Sequence, residues 1–290
     1  MESIGMAQDN LESPRVRFEL LQPIQWVPVT PSSSRKATLT ALYVVPEPRI
    51  TALPIGLGPV PPSAVAWTPP AVAGSPREPE RADEAETLFR SELRSAGLDG
   101  EWYLLDERDL VGLIEFANTV DLAILGQQAP GALDHSGSLL ADRVITEVGR
   151  PVLIVPYWGR FETVGRRALI AWDGSREAAR ALNDALPLIE GAEAVTVLYI
   201  GTGEAQLERA RPALSRVVRH LQRHALKTSG EETPRGDVAI SDLLLSRAAD
   251  LGADMIIAGA YPPPTRARAS PLSGTEGSVV CGCVRPARSS

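Results

Sequence analysis

Short runs of Val, Ile, Leu and Ala recur along the chain, separated by longer stretches whose apolar residues lie at helical spacing. The clearest runs are residues 37–45, 121–126, 151–156, 167–175, 194–201 and 253–259. Helical spacing is found in residues 83–96, 175–190, 205–227 and 240–251. Strands buried on both faces are continuous apolar runs, and their alternation with helices is typical of a parallel sheet covered on both sides. The pattern predicts an α/β fold.

The same pattern occurs twice. LTALYVV, from residue 39, matches VTVLYIG, from residue 195, and DLAILG, from residue 121, matches DMIIAG, from residue 254. Internal similarity of this kind predicts tandem domains.

We place the two domains at residues 1–160 and 161–290, with the boundary in residues 159–165, after one strand and before the next. A proline-rich insert at about residues 46–80 distinguishes the first copy. Its composition predicts a surface loop with partly polyproline-like backbone.

Both outer ends break the repeat. The counterpart of strand 167–175 would fall at about residues 13–34, where repeated prolines exclude a regular helix. The second copy has an atypical tail from about residue 262. We expect this tail to add no strand, because its apolar stretch is too short to offset the entropy of ordering. A shifted reading frame would produce the same loss of pattern, which translation of the adjacent frames tests.

Composition narrows the function classes. The 290 residues are 44% hydrophobic and 22% charged, which is typical of globular proteins. The formal net charge of −7 disfavours broad electrostatic binding to nucleic acid. The apolar runs are far shorter than the roughly 20 residues of a membrane span. The N-terminus lacks the apolar segment of a secretory signal, so we expect a cytoplasmic protein without a membrane partner.

No metal site or catalytic set is predicted. Cys281 and Cys283 form a lone C-x-C pair, which cannot complete a four-ligand zinc site. His220 and His224 lie one helical turn apart, but no third ligand is evident. No Ser-His-Asp, Cys-His or paired-carboxylate arrangement stands out.

Two segments carry a resemblance to a known family. ALIAWDGSREAARALNDALPLIEGAEAVTVLYI, residues 168–200, closely resembles the opening strand–helix–strand of universal stress proteins. RAADLGADMIIAGAY, residues 247–261, is similar to the helix and fourth strand of that family, and the first copy is similar at residues 37–45 and from residue 121. The resemblance implies two tandem Rossmann-like (adenine nucleotide alpha hydrolase-like) parallel-sheet domains with irregular outer ends.

The resemblance also implies a site for ATP at the carboxyl ends of the strands, where open parallel sheets bind ligands. Asp173, followed by Gly174 and Ser175, matches the first-strand aspartate that approaches adenosine. Ile200 matches the second-strand position whose backbone contacts the base, and Gly259 matches the first glycine of the phosphate loop. For Asp173, a helix N-cap role remains an alternative to a ligand role.

The phosphate loop departs from the family pattern. Pro262 and Leu272 stand where the second and third glycines are expected. In the first copy Gly126 fits, but Ala129 and Leu139 replace the other two. We therefore expect ATP binding to be weak, and the first copy to be a packing partner and not a nucleotide site.

These observations favour a cytoplasmic tandem universal-stress-type protein of the stress response. It would act by association, with weak adenine-nucleotide binding and no catalysis of its own. An ATP-using enzyme on a related fold and a ligand-free scaffold remain alternatives. The two copies are expected to pack against each other within the chain, because the apolar strand at residues 151–156 would otherwise be an uncovered edge. Homodimerisation is left open.

Overall fold

The computed structural model describes residues 38–45, 78–106, 108–127, 143–145, 147–156, 163–260 and 279–283, and two-residue strands at 15–16, 27–28, 49–50 and 72–73. The chain divides into two compact units, residues 38–111 and residues 1–37 with 112–290. The principal sheet of each unit is built mainly from parallel strands, which confirms the predicted fold class.

The strands of the described ranges are β1 (Arg15–Val16), β2 (Val27–Pro28), β3 (Leu39–Val45), β4 (Arg49–Ile50), β5 (Val72–Ala73), β6 (Gly100–Asp106), β7 (Ala123–Gly126), β8 (Val152–Val155), β9 (Arg167–Ala171), β10 (Ala194–Gly201), β11 (Thr228–Pro234), β12 (Met255–Gly259) and β13 (Val279–Cys283). The helices are α1 (Glu78–Ala96), α2 (Leu110–Ala117), α3 (Arg176–Ile189), α4 (Glu204–Arg223) and α5 (Ile240–Leu251).

The smaller unit is built on two parallel strands, β3 and β6, which pair along their whole length. The buried side chains of Phe89 and Leu93 lie on α1. The ring of Trp102 on β6 has its centroid 5.8 Å from that of Phe89 and 5.9 Å from that of Tyr43 on β3. This apolar cluster holds the helix against the strand pair. Within the proline-rich insert, β4 and β5 form a short antiparallel pair.

The larger unit centres on a seven-stranded sheet in the order β11-β10-β9-β12-β13-β8-β7. Neighbouring strands are parallel except β12 and β13, which are antiparallel. From β9 the chain runs outward through β10 to β11, then returns to β12 on the opposite side of β9. The strand order therefore reverses beside β9, and ligands of open α/β sheets bind at such a switch point.

Helices cover both faces of this sheet around β9. On one face, the inward residues of α3 and α4 pack with Ile170 and Ile257 in the main core. On the other face, Ala248 of α5 packs with Leu169 and Leu198. Successive residues of a strand point to opposite faces, so Leu169 and Ile170 belong to different cores. Burial on both faces explains the continuous apolar runs of the sequence.

The strand β13 shows that one expectation was wrong, because the tail after residue 262 does add a strand. Met255 of β12 lies beside Cys283, and Val152 of β8 lies beside Val280. The entropic argument considered only the few apolar side chains of the tail. A strand placed between two others also satisfies its backbone groups in two ladders. The other residues after 262 lie outside the described ranges.

Among the described strands, the first copy has no counterpart of β9. In the second copy β9 lies between β10 and β12, whereas among the described strands β3 pairs only with β6, and β7 only with β8. In the region where the first strand would fall, β1 and β2 form a two-residue antiparallel pair. This agrees with the predicted break in the repeat.

The boundary at about residue 160 separates the two sequence copies and stays a prediction. The seven-stranded sheet takes β7 and β8 from before that point and its other five strands from after it. Because β8 pairs with β13, the last strand of the first copy has a neighbour from the second copy. Whether the copies depend on this pairing for stability is left to experiment.

Candidate functional site

The candidate site lies where β9, β10 and β12 end at one edge of the sheet. These strands are parallel, with β9 between the other two, so their carboxyl ends are adjacent. The five residues proposed from the sequence all belong to this edge: Asp173, Gly174 and Ser175 follow β9, Ile200 lies near the end of β10, and Gly259 ends β12.

The turn after β9 decides which residue caps α3. The Ser175 hydroxyl oxygen accepts a hydrogen bond from the Ala178 N–H at 3.1 Å, so Ser175 is the N-cap. Asp173 Oδ1 accepts the Ser175 N–H at 2.9 Å and thereby closes the turn. Asp173 is exposed, and no other hydrogen bond to its carboxylate is found among the described residues. It therefore shapes the turn and presents a carboxylate at the edge.

Gly174 gives this turn its conformation. Its φ of +83° lies in the left-handed region, which residues with a side chain rarely adopt. A Cβ atom added there would have nothing within 4 Å. The space above the turn is therefore open beside Asp173.

The backbone of Ile200 faces the end of β9. The ladder between the two strands ends with Ala171 beside Leu198, whose carbonyl accepts the Trp172 N–H at 2.9 Å. Alternate residues of a parallel strand direct their backbone groups to the same side. The N–H and C=O of Ile200 therefore point toward the side where β9 has already ended, close to Asp173. A planar ring could be held by these groups, as the resemblance implies for the base.

Gly259 has a packing role that the sequence did not reveal. An added Cβ would lie 2.7 Å from the Ala178 nitrogen, 2.7 Å from the Glu177 carbonyl carbon and 2.9 Å from the Glu177 Cβ. The first turn of α3 thus rests on the end of β12. Gly259 also pairs with Val279 of β13. It touches the beginning of the helix, but its surroundings on these sides are filled by protein.

Glu177 is a site residue that sequence reasoning missed. Its side chain is only 9% exposed, and Oε1 accepts from Arg176 Nε at 2.6 Å. The carboxylate occupies the first turn of α3, where the helix dipole favours negative charge. An acidic residue two positions after the N-cap was the available signal. Its charge opposes a phosphate at the same helix end.

Trp172 packs against the main core. Its Nε1 is buried and has no hydrogen-bond partner among the described residues. A buried donor without an acceptor is uncommon in native proteins.

The positions expected for the second and third phosphate-loop glycines lie outside the described ranges in both copies: Pro262, Leu272, Ala129 and Leu139. In the first copy, Gly126 ends β7, beside Val155 of β8. In the described ranges, no three His, Cys, Asp or Glu side chains are grouped so that they could hold a metal ion. No helix of those ranges has the length and apolar character needed to cross a membrane.

Comparison with known proteins gives a likeness to solved structures and none to known sequences. No protein-family profile matches the sequence, and no curated protein matches it significantly. Among solved structures, the chain is similar to a universal stress protein from Archaeoglobus fulgidus DSM 4304, with a TM-score of 0.56 and 16% sequence identity. The match covers 87% of this chain and 88% of that chain. At so low a sequence identity, the structural likeness is evidence for the fold alone. This chain therefore has an α/β fold like that of a universal stress protein.

Proposed function

We propose that this chain is a cytoplasmic tandem universal-stress-type protein of the stress response, which acts by association and binds an adenosine moiety weakly. One observation carries the nucleotide part of the proposal. The exposed carboxylate of Asp173 lies beside the open space over Gly174 and near the outward backbone of Ile200. A carboxylate can accept from ribose hydroxyls, and backbone N–H and C=O groups can pair with the edge of a base.

The triphosphate adds little to this binding. Glu177 places negative charge in the first turn of α3, and β13 occupies the flank of Gly259. Pro262 has no N–H to donate to a phosphate. Losing two charge-assisted hydrogen bonds costs about 3–6 kcal/mol, which is roughly two to four powers of ten in affinity. Association without catalysis is the proposed mode of action.

Titration calorimetry with adenosine and ATP in parallel tests the proposal. We expect weak binding of both ligands, with affinities within about tenfold of each other. Asp173→Ala should abolish this binding, whereas Asp237→Ala, which removes an exposed carboxylate on another turn, should leave it unchanged. Tight ATP binding with a strong preference over adenosine would contradict the proposed site.

A ligand-free scaffold is the second candidate. It is favoured by the close packing of α3 on Gly259, because the first turn of the helix fills the space on that side of the glycine. Absence of any adenosine binding by the wild-type chain would select this candidate.

A further inference from the structure

The outward face of α4 carries a row of positive charge. We call Arg209, Arg216, Arg219 and Arg223 the arginine row. At 3.6 residues per turn these side chains lie within about one quadrant of the helix, and all four are exposed. The opposite quadrant holds Ala210, Leu214 and Leu221, which pack against the sheet.

The arginines of this row have no carboxylate partner among the described residues. Elsewhere in the same ranges, arginine–carboxylate pairs are frequent: Arg90–Glu86, Arg108–Asp106, Arg143–Glu147, Arg166–Glu193, Arg176–Glu177, Arg180–Asp184, Arg211–Glu232 and Arg247–Glu231. The one side-chain bond recorded in the row runs from Arg219 Nε to the Ser215 carbonyl, at 3.3 Å. The arginine row thus places four arginines without a described carboxylate partner on one face of a single helix.

Arg211 shows that α4 can pair an arginine when it faces an acid. Its Nε donates to Glu232 on β11 at 2.9 Å, and this hydrogen bond, with smaller contributions from Glu208 and Glu204, raises its pKa. The acidic residues of α4 thus lie on the flank that Arg211 occupies. The arginine row has none at the third or fourth neighbouring position.

Repulsion within the arginine row lowers the stability of α4. Arg216 and Arg219, and Arg219 and Arg223, are like charges three and four residues apart, a spacing at which they repel. Lys227 adds another positive charge just after the helix end. The chain as a whole has a net charge of −7, yet this helix face carries unpaired positive charges that repel one another. Residues that disfavour the local structure in this way are expected mainly at functional sites.

The spacing of the row indicates the shape of its partner. Arg209, Arg216 and Arg223 follow one another at seven-residue intervals, about 10.5 Å along the helix axis. A partner helix with Asp or Glu at every seventh position repeats at the same distance. One strand of DNA presents a phosphate charge about every 3.4 Å. Arginines spaced about 10.5 Å apart would therefore leave most of those phosphates without a partner. The helix also lacks Phe, Tyr and Trp, on which unpaired bases stack.

We propose that the arginine row is a docking surface for an acidic helical segment of a partner protein, with carboxylates at seven-residue intervals. The proposal rests on the proposed function only in that the chain acts by association. The negative net charge of the whole chain repels polyanions at long range, so a short acidic segment fits this surface better than nucleic acid does.

The test uses the full chain and a fluorescently labelled alanine-rich helical peptide with glutamate at every seventh position. Fluorescence anisotropy at low ionic strength should show binding that weakens as salt is added. A peptide with glutamine at the same positions should bind at least about tenfold more weakly. The variant Arg216→Gln/Arg219→Gln/Arg223→Gln should lose about tenfold in affinity for the glutamate peptide. Arg211→Gln, on the same helix but outside the row, should change it by less than about twofold.

Circular dichroism of each variant confirms that α4 remains folded. Equal binding of both peptides, or unchanged binding in the triple variant, overturns the proposal. Tighter binding of a single-stranded RNA through the same three arginines overturns it in favour of nucleic acid. Adenosine calorimetry on the triple variant keeps the two proposals separate. Loss of peptide binding should leave adenosine binding intact, and Asp173→Ala should leave peptide binding intact.

Discussion

Asp121 and Asp254 stand at the same place in the two copies, yet their surroundings are opposite. Asp254 is 4% exposed and accepts hydrogen bonds from Thr163 Oγ1 at 2.7 Å and from the backbone N–H groups of Arg166 and Arg167 at 3.2 and 3.0 Å. Asp121 is exposed, and the first copy has no described strand equivalent to β9 that would supply such donors. Identical residues thus have different surroundings, because among the described strands only the second copy has β9 to supply these donors.

Alanine substitution at these two positions should separate the roles. Asp254→Ala removes a buried acceptor of three hydrogen bonds, and we expect the free energy of unfolding to fall by about 3 kcal/mol. Asp121→Ala should change it by less than about 0.5 kcal/mol, as is usual at exposed positions. Urea denaturation of both variants measures the free energy of unfolding. An equal decrease in the two variants would show that the buried hydrogen bonds of Asp254 do not stabilise the fold.

At the same scale, Arg108 controls the titration of Asp106. The side chain of Arg108 donates to both carboxylate oxygens of Asp106, at 3.0 and 2.7 Å, and these bonds, assisted by the Arg108 backbone N–H, lower its pKa to about 2. A lowered folded-state pKa stabilises the fold above the ordinary value of about 3.8, and that contribution is lost as pH falls toward 2.

NMR titration of the Asp106 carboxyl carbon should give a midpoint near 2 in the wild-type chain. Arg108→Gln should return the midpoint to the ordinary range of aspartate, about 3.5–4. An unchanged Asp106 midpoint in the variant would assign the shift to another cause.

At the scale of elements, β6 and β11 are strands that the apolar pattern did not predict. β11, with the sequence TSGEETP, lies at the edge of the larger sheet, where a continuous apolar run is not needed. Glu231 pairs with Arg247 of α5, and Glu232 pairs with Arg211 of α4. Because those helices lie on opposite faces of the sheet, an ion pair holds the edge strand to a helix on each face. Charged side chains also discourage edge-to-edge association.

The contact between α3 and β12 makes Gly259 a structural position. Gly259→Ala would bring a methyl group within 2.7 Å of backbone atoms of α3, which must then move. We expect the free energy of unfolding to fall by about 1–3 kcal/mol. Gly203→Ser is a matched control, because nothing lies within 4 Å of its added Cβ and serine suits a helix N-cap. Thermal unfolding of both variants tests this, and a neutral Gly259→Ala would refute the tight contact.

At the scale of the whole molecule, β13 joins parts of the chain that are distant in sequence. It pairs with β12 on one side and with β8 on the other, and so continues the sheet from the second copy into the first. Deleting residues 279–290 would leave the edges of β8 and β12 unpaired, and exposed apolar edges favour aggregation.

We expect the deletion of residues 279–290 to lower the unfolding temperature and to promote aggregation, both measured by heating with light-scattering detection. Deleting only residues 284–290 leaves β13 and both ladders in place and should preserve the wild-type behaviour. Separate expression of residues 1–160 and 161–290 is an independent measurement. Halves as soluble, monomeric and stable as the whole chain would show that pairing between the copies is dispensable.

Local sequence was sufficient to determine the α/β class, most of the helices and the buried strands of the second copy. Helical periodicity and continuous apolar runs are set by residues close in the chain, so both can be recognised without knowing the fold. The turn Asp173-Gly174-Ser175 was likewise visible as a helix start. The sequence alone left Asp173 with two alternative roles, as the helix N-cap or as a ligand of adenosine.

Only the tertiary structure decided what depends on distant neighbours. Ser175 and not Asp173 caps α3, Gly259 is required by a helix that crosses it, and β13 forms because two strands offer it ladders. Asp121 and Asp254 have nearly the same local sequence, and only the presence of β9 distinguishes them. Burial, close approach and strand pairing depend on residues far apart in the chain, so no local pattern records them.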